Sequence, residues 1–380
     1  MTRVPKTGDL RKEPLISKNW SFSKSVPSAY PDGILITGAN SFIGTHVIRK
    51  LQHRWQGPVH LLVRAATSRE AIGKMSQAFA TWKLGVFHPE NFTIHLGDVS
   101  LNMMGLGASE YSALKKSVGF VLHLAMNPLY HLPYAHFKRL WLPELERMIT
   151  CCGDKSYPKS LHYPSSYNAD LFTTDSDFKQ LNNNAWQSGY AGFKWVAGKA
   201  LENAFAQNLN GCLYDIPLVL GAVGNGLCPR QYTIWYILDM FLKTKCYIPF
   251  HFRIIPVDVL SDVVVNNLMA DANGKGIRFI RPVLKESVSD EHFGNMAASL
   301  LGLQKTVQEN MRKRSANKNR FDFVFPPDFY QLLDKLSNLP AVFPDNYNSN
   351  DLPPTAVVFL SNLNKILSAS KNFKQLNHKT

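Results

Sequence analysis

From Gly33 onward, short apolar runs alternate with stretches whose apolar positions recur at helical spacing. The runs Ile34–Thr37, Val59–Val63, Phe92–His95, Gly119–Leu124, Ser160–Tyr163 and Gly211–Leu218 have strand length. Between them, Phe42–His53, Arg69–Trp82, Leu142–Cys152 and Ala185–Gln207 carry the helical period. Nearly continuous apolar strands separated by helices imply βαβ units, hence an α/β fold with a doubly wound parallel sheet covered on both faces. Past about residue 220 this rhythm is lost. Helical patterns at Thr233–Leu242, Val257–Met269, Asp290–Leu301, Asp328–Leu336 and Ala356–Leu367 predict a smaller, mostly helical companion. The expected organisation is a basic N-terminal tail or strap over 1–31, a nucleotide-binding domain over 32–270 with substrate-side insertions around 222–254, and a C-terminal substrate-binding subdomain over 271–380.

The 380 residues are 45% hydrophobic and 18% charged, which excludes wholesale disorder and a coiled coil. No apolar run approaches the roughly 18 residues that cross a bilayer, and the polar start MTRVPKTGDLRKEPL does not read as a secretory signal. A cytoplasmic protein is expected. Cys151, Cys152, Cys212, Cys228 and Cys246 form no metal-ligand spacing and read as reduced thiols. The net charge of +14 is uneven, with basic excess before residue 30, across Lys305–Arg320, and after Asp351. Such a field attracts anionic partners. No basic–aromatic repeat or reader motif accompanies it, so nucleic acid is not expected. No pattern in the chain specifies an oligomeric state.

The run Ile34–Gly44 is a strand leading through a glycine-bearing turn into an amphipathic helix, a Rossmann-like arrangement. Glycine permits a tight turn and close backbone approach to a pyrophosphate, while the helix N-terminus supplies a positive dipole end. Thr37, Gly38, Asn40, Ser41, Phe42, Ile43 and Gly44 are the candidate contacts. Ser41 stands at the middle position of a G-x-x-G-x-x-G loop, where its hydroxyl can donate to phosphate or cap the helix. At the end of the second strand, where adenosine ribose is read, Arg64 suits a 2′-phosphate and so NADPH. Lys74 is a second candidate cation. Asp98 and Val99, after the third strand, are candidate adenine contacts.

Tyr190 and Lys194 lie at i, i+4 and share one helix face. A free phenol with pKa ~10 is a poor acid near neutrality, and a neighbouring ammonium favours its ionised form. Lys194 can also hold a nicotinamide ribose. Upstream, Ser165-Ser166 closes a strand, and Ser166 is the candidate donor to a developing oxyanion.

The series Thr37–Gly44, Leu62–Arg64, Gly97-Asp98, His123-x-Ala125, Ser165-Ser166 and Tyr190–Lys194 resembles extended short-chain dehydrogenase/reductases. More narrowly, Leu62–Ala65, His123–Tyr134, Ser188–Ala197 and Ile255–Asp258 are similar to thioester reductases, the terminal reductase domains of nonribosomal peptide and polyketide synthetases and of carboxylic acid reductases. The resemblance spans about 33–310. It adds His123, Ala125 and Pro217 to the cofactor set, although Ile216-Pro217 stands where Arg-Pro is usual and Met126 where a small residue is common. It implies NADPH-dependent reduction of an acyl or peptidyl thioester to an aldehyde, or on to the alcohol, by a Ser166–Tyr190–Lys194 triad. The implied partner is a carrier protein bearing phosphopantetheine. Such carriers are typically acidic, which makes the basic tail or Lys305–Arg320 the expected dock. With no adenylation or carrier segment evident, action in trans is expected. Two alternatives stay open: another enzyme of this fold acting on a free ketone, aldehyde or acyl-CoA, and a catalytically inactive NADP-sensing protein.

Overall fold

Val59–Val63 and Ile34–Ile36 are buried on both faces, so neither run can sit at the surface of a sheet. In the computed structural model, which describes residues 9–22, 32–126, 132–166, 169, 188–229, 232, 246–247, 254–272, 279–280 and 304–305, they are neighbouring parallel strands. Strands β1 (Gly33–Thr37), β2 (Val59–Val63), β3 (Thr93–Leu96), β4 (Val118–His123), β5 (Ser160–Pro164) and β6 (Asn210–Tyr214) are followed by the short β7 (Leu218–Leu220), β8 (Cys246–Tyr247), β9 (Ile254–Pro256), β10 (Phe279–Ile280) and β11 (Gln304–Lys305). Among the described residues the main sheet has the order β10-β6-β5-β4-β1-β2-β3 and is wholly parallel. The order reverses between β1 and β4, which opens a crevice at the carboxyl ends of those strands.

Helices α1 (Phe42–Leu51), α2 (Ser68–Thr81), α3 (Ala108–Ser117), α4 (Tyr134–Cys152), α5 (Ser188–Ala206) and α6 (Val257–Ala272) cover the sheet. The chain divides into two bodies, Met1–Ile216 with Ser261–Arg281, and Pro217–Leu260 with Pro282–Thr380. In the second, β7 pairs with β9 and β8 with β11, and the Asp258 carboxylate accepts the Val223 N–H at 3.1 Å. None of the helices among the described residues is long and apolar enough to cross a membrane.

The structure corrects three sequence expectations. Helix α4 begins at Tyr134 rather than Leu142, because Pro143 is tolerated inside it. Tyr134, Phe137, Leu142, Leu145, Met148 and Ile149 form a continuous buried stripe whose packing outweighs the lost hydrogen bond. The run Gly211–Leu218 splits into β6 and β7 around Pro217, which has no N–H to continue a ladder. Helix α3 carries only one fully buried residue, Leu114, so its apolar period is faint. The predicted helices at 233–242, 290–301, 328–336 and 356–367 lie outside the described residues.

Residues 9–22 form a strap. Leu10 is fully buried, and Leu15 joins the apolar cluster that also holds Phe137, Tyr190 and Phe193. On the other side of the sheet's centre, His162 on β5 bonds the Tyr214 hydroxyl at 2.7 Å and the Asp271 carboxylate at 2.9 Å, tying α6 to two strands.

Candidate functional site

The loop from β1 to α1 is built so closely that side chains are excluded from two of its positions. Gly38 has φ +68°, and a Cβ there would lie 2.6 Å from the Leu124 carbonyl. A Cβ on Gly44 would lie 2.3 Å from the Gly38 oxygen. Ser41, by contrast, has φ −75° and ψ 167°, ordinary extended backbone that does not require glycine. Its Oγ accepts the Gly44 N–H at 3.1 Å, so it caps α1 and keeps its own O–H to donate. The first turn of α1 carries no acidic residue. Phe42 is buried beneath the turn, while Asn40 is exposed and Ile43 half-buried at the rim.

Beneath this turn runs a polar line from Thr37 through His123 to Glu144. Thr37 Oγ1 accepts from the Ala125 N–H at 3.2 Å and meets His123 Nδ1 at 2.8 Å. The other ring nitrogen, Nε2, lies 3.2 Å from Oε1 of Glu144, a carboxylate only 2% exposed on α4. Sequence reasoning misses Glu144 because its partner is 21 positions away on another element.

At the end of β2 the Arg64 side chain is 80% exposed, with Nη1 3.7 Å from Oδ2 of Asp98. Lys74 reaches back to the Arg64 carbonyl at 2.6 Å, and it also pairs with Glu70 at 2.6 Å. The two predicted cations are therefore adjacent, but the charge of Lys74 is shared with a carboxylate. Asp98 Oδ1 accepts the Ser100 N–H at 2.9 Å, a turn-forming bond. Val99 borders a cleft of about 390 Å³ running between the following loop, α3 and α4, with Glu144 and Arg147 also in its wall.

Across the switch point, Tyr190 and Lys194 occupy successive turns of α5, both buried. Lys194 Nζ donates to the Pro164 carbonyl at 2.6 Å and lies 5.8 Å from the Tyr190 ring centre. Burial alone pushes its ammonium down to about 7. The strand end therefore sits directly beside the Tyr–Lys face. Ser165 and Ser166 are both buried there, and the Ser165 hydroxyl faces α5 at Gly198, one turn past Lys194. Gly189, which sequence reasoning does not single out, is required by contact: a Cβ on it would fall 2.1 Å from the Leu132 oxygen at the entrance to α4. Pro217, expected among the cofactor contacts, is the first residue of the second body.

The cradle suits an anionic dinucleotide. Gly38 and Gly44 are closed to any Cβ, and the turn ends on a helix N-terminus whose first turn has no acidic residue. Among the described residues no group of three or more His, Cys, Asp or Glu could hold a metal ion.

Comparison with known proteins points the same way. The model of an NAD-binding family described as male sterility protein matches residues 36–264. A linear gramicidin synthase of Brevibacillus parabrevis is 24% identical over 214 residues, covering 53% of this chain but only 4% of that much longer protein. The terminal R domain from the myxalamid PKS-NRPS biosynthetic pathway superposes with a TM-score of 0.71 at 18% identity, covering 90% of this chain and 92% of the domain. A thiolation-reductase di-domain from an archaeal nonribosomal peptide synthetase gives 0.67 at 11% identity, covering 91% and 77%. These structural likenesses are likenesses of fold.

Proposed function

The chain belongs to the NAD-binding male sterility protein family, and from that premise we propose that it is an NADPH-dependent reductase of acyl or peptidyl thioesters held on a carrier protein, releasing an aldehyde. The observation that carries the reading is the Lys194 Nζ bond to the Pro164 carbonyl, which ties the Tyr190 helix to the Ser165-Ser166 strand end across from the glycine cradle. Thr37, Gly38, Ser41 and Gly44 would hold the pyrophosphate, Arg64 with Lys74 the 2′-phosphate, and Asp98 and Val99 the adenine. When bound, the dinucleotide supplies a hydride to the thioester carbonyl carbon. Tyr190 gives its phenolic proton to the carbonyl oxygen as charge gathers there, and Ser166 donates a second hydrogen bond to it. Lys194 holds the ribose and favours proton release from Tyr190. Collapse of the hemithioacetal then breaks the C–S bond, freeing the carrier thiol.

The thiolation-reductase pairing in one structural relative supports a carrier partner. Of the basic tail, Lys18 is paired with Glu146 and Arg11 with Asp9. Most of the Lys305–Arg320 segment lies outside the described residues.

The test is turnover of the purified chain with NADPH or NADH against a carrier-loaded thioester, an acyl-CoA and a simple aldehyde. The reading expects NADPH with the carrier-loaded thioester to be the preferred pair. Dinucleotide binding without oxidation in any of the three would overturn it.

A pH dependence follows from Lys194. Its folded pKa of about 7 lies below the ordinary lysine value of 10.5, so the ammonium is present below that pH and is lost as pH rises through it. We expect kcat/KM to fall with pH above about 7, and the Lys194→Arg variant, whose guanidinium stays charged, to lack this limb. In stability the sign runs the other way. The unfolded chain binds the extra proton between the two values, so burial of Lys194 costs most below pH 7 and the cost fades toward 10.5.

A further inference from the structure

Helix α5 is apolar nearly all round. From Gly189 to Leu201 only Trp195 and Lys199 are even partly exposed. A helix of this kind has no face to give to water and has to be covered on its outer side. It is also rich in glycine (Gly189, Gly192, Gly198), each costing about 1 kcal/mol of helix propensity, so packing rather than propensity holds it. The cover is the strap, residues 9–22. Its first turn, Leu10–Lys12, packs on α5. Glu13, 6% exposed, pairs with Lys138, one turn into α4, at 2.9 Å, and its charge adds to burial in raising the pKa of the Tyr134 phenol at the start of that helix. Gly189 is pressed against the backbone that leads into α4, from the Leu132 oxygen to the Tyr134 nitrogen.

At its far end the strap grips the same two helices again. The Lys18 carbonyl accepts from Asn203 at 2.8 Å and from Gln207 at 3.0 Å, the Trp20 N–H donates to Gln207 at 2.7 Å, and Lys18 pairs with Glu146. Phe22 packs against Gly153, where a Cβ would come within 2.1 Å of its ring. Helix α4 is about 27 Å long between its end residues, so the strap runs its whole length, fastened at both ends.

We propose that the strap is a positioning device for the reaction, and that Glu13 is the positioning residue that sets the first turn of α5, and hence Tyr190, against the start of α4. This rests on the reductase reading above. Glu13 touches neither Tyr190 nor any reacting atom. It acts through Lys138 and the start of α4, on whose backbone Gly189 is packed, where a displacement on the order of 1 Å is enough to cost up to 10²-fold in rate.

The test uses the full chain with Glu13→Ala and the near-isosteric Glu13→Gln. Glu13→Ala should lower kcat about tenfold with the Kd for NADPH within about twofold of wild type, and Glu13→Gln should recover most of the loss. Independently of turnover, amide hydrogen exchange over residues 188–194 should quicken about tenfold in Glu13→Ala. Unchanged exchange there and unchanged kcat, with only a lower Tm, would overturn the proposal and leave the strap as a mere cover. If Glu13→Ala does not fold, Lys138→Ala, which removes the charge partner of Glu13, decides by the same two readouts: slower turnover with faster exchange supports the proposal, and wild-type values for both reject it. If wild type itself turns nothing over, the reductase reading fails while the exchange result still decides the strap.

Discussion

Replacing Tyr190 by phenylalanine is expected to lower kcat for thioester reduction by ~10²–10⁴-fold, the usual range for loss of a positioned acid, while leaving NADPH affinity within about twofold. The separation follows from how the side chain is held. Its ring is buried, meets Phe137 edge-on at 6.2 Å between centres, and belongs to the cluster with Phe193 and Leu10. Phenylalanine keeps those ring contacts, so the fold should be retained. Only the hydroxyl is lost, and with it the proton for the carbonyl oxygen. Single-turnover kinetics with saturating NADPH, read beside a binding titration, checks both halves. A rate unchanged by the substitution would remove Tyr190 from the reaction and favour a protein that only binds the dinucleotide.

The second large effect is expected at Gly44→Ala. The new methyl would sit 2.3 Å from the Gly38 oxygen and 2.9 Å from both the Ala39 oxygen and Ser41 Oγ. Two of those three atoms are backbone, so relief requires the turn itself to open. Overpacking of this kind costs about 1–3 kcal/mol. Opening the turn also misaims the N–H groups at the start of α1. With hydrogen bonds to charged groups contributing about 1.5–3 kcal/mol each, NADPH binding should weaken at least tenfold for each bond lost. Gly73→Ala is the control. It lies exposed in α2 with nothing within 4 Å of a Cβ, and the change should raise stability by up to about 1 kcal/mol. Thermal melts and fluorescence titrations of the two variants should therefore diverge in both quantities. Equal affinity in Gly44→Ala and wild type would show that the β1–α1 turn is not where the dinucleotide lies.

Strands β1, β2 and β4 are legible because a strand buried on both faces is mostly apolar, as in Ile34–Thr37 and Val59–Val63. The cradle was readable for a related reason: a turn without room for Cβ atoms leaves glycines at fixed spacing. The sequence predicts helix α4 too short because Pro143 is a local signal and the stripe that overrides it is tertiary. The strap could be suspected only as one of two readings of a polar segment, since Leu10, Leu15, Trp20 and Phe22 have no period of their own and acquire their meaning from α4 and α5. Within the site, Tyr190, Lys194 and the serine pair were legible as short motifs. Glu144 and Gly189 were not, because each answers to a backbone or ring brought near by the topology rather than by the chain. Ser41 lay between these cases: the sequence allowed a cap or a phosphate donor, and the structure makes it a cap whose proton is still available.

The strap also has a history during synthesis. It leaves the ribosome well ahead of β1, yet the glutamine that receives the Trp20 N–H lies 187 residues later. At about 5–20 residues per second, its tryptophan, phenylalanine and leucines wait on the order of ten to forty seconds for a seat, open throughout to chaperones or to a neighbouring nascent chain.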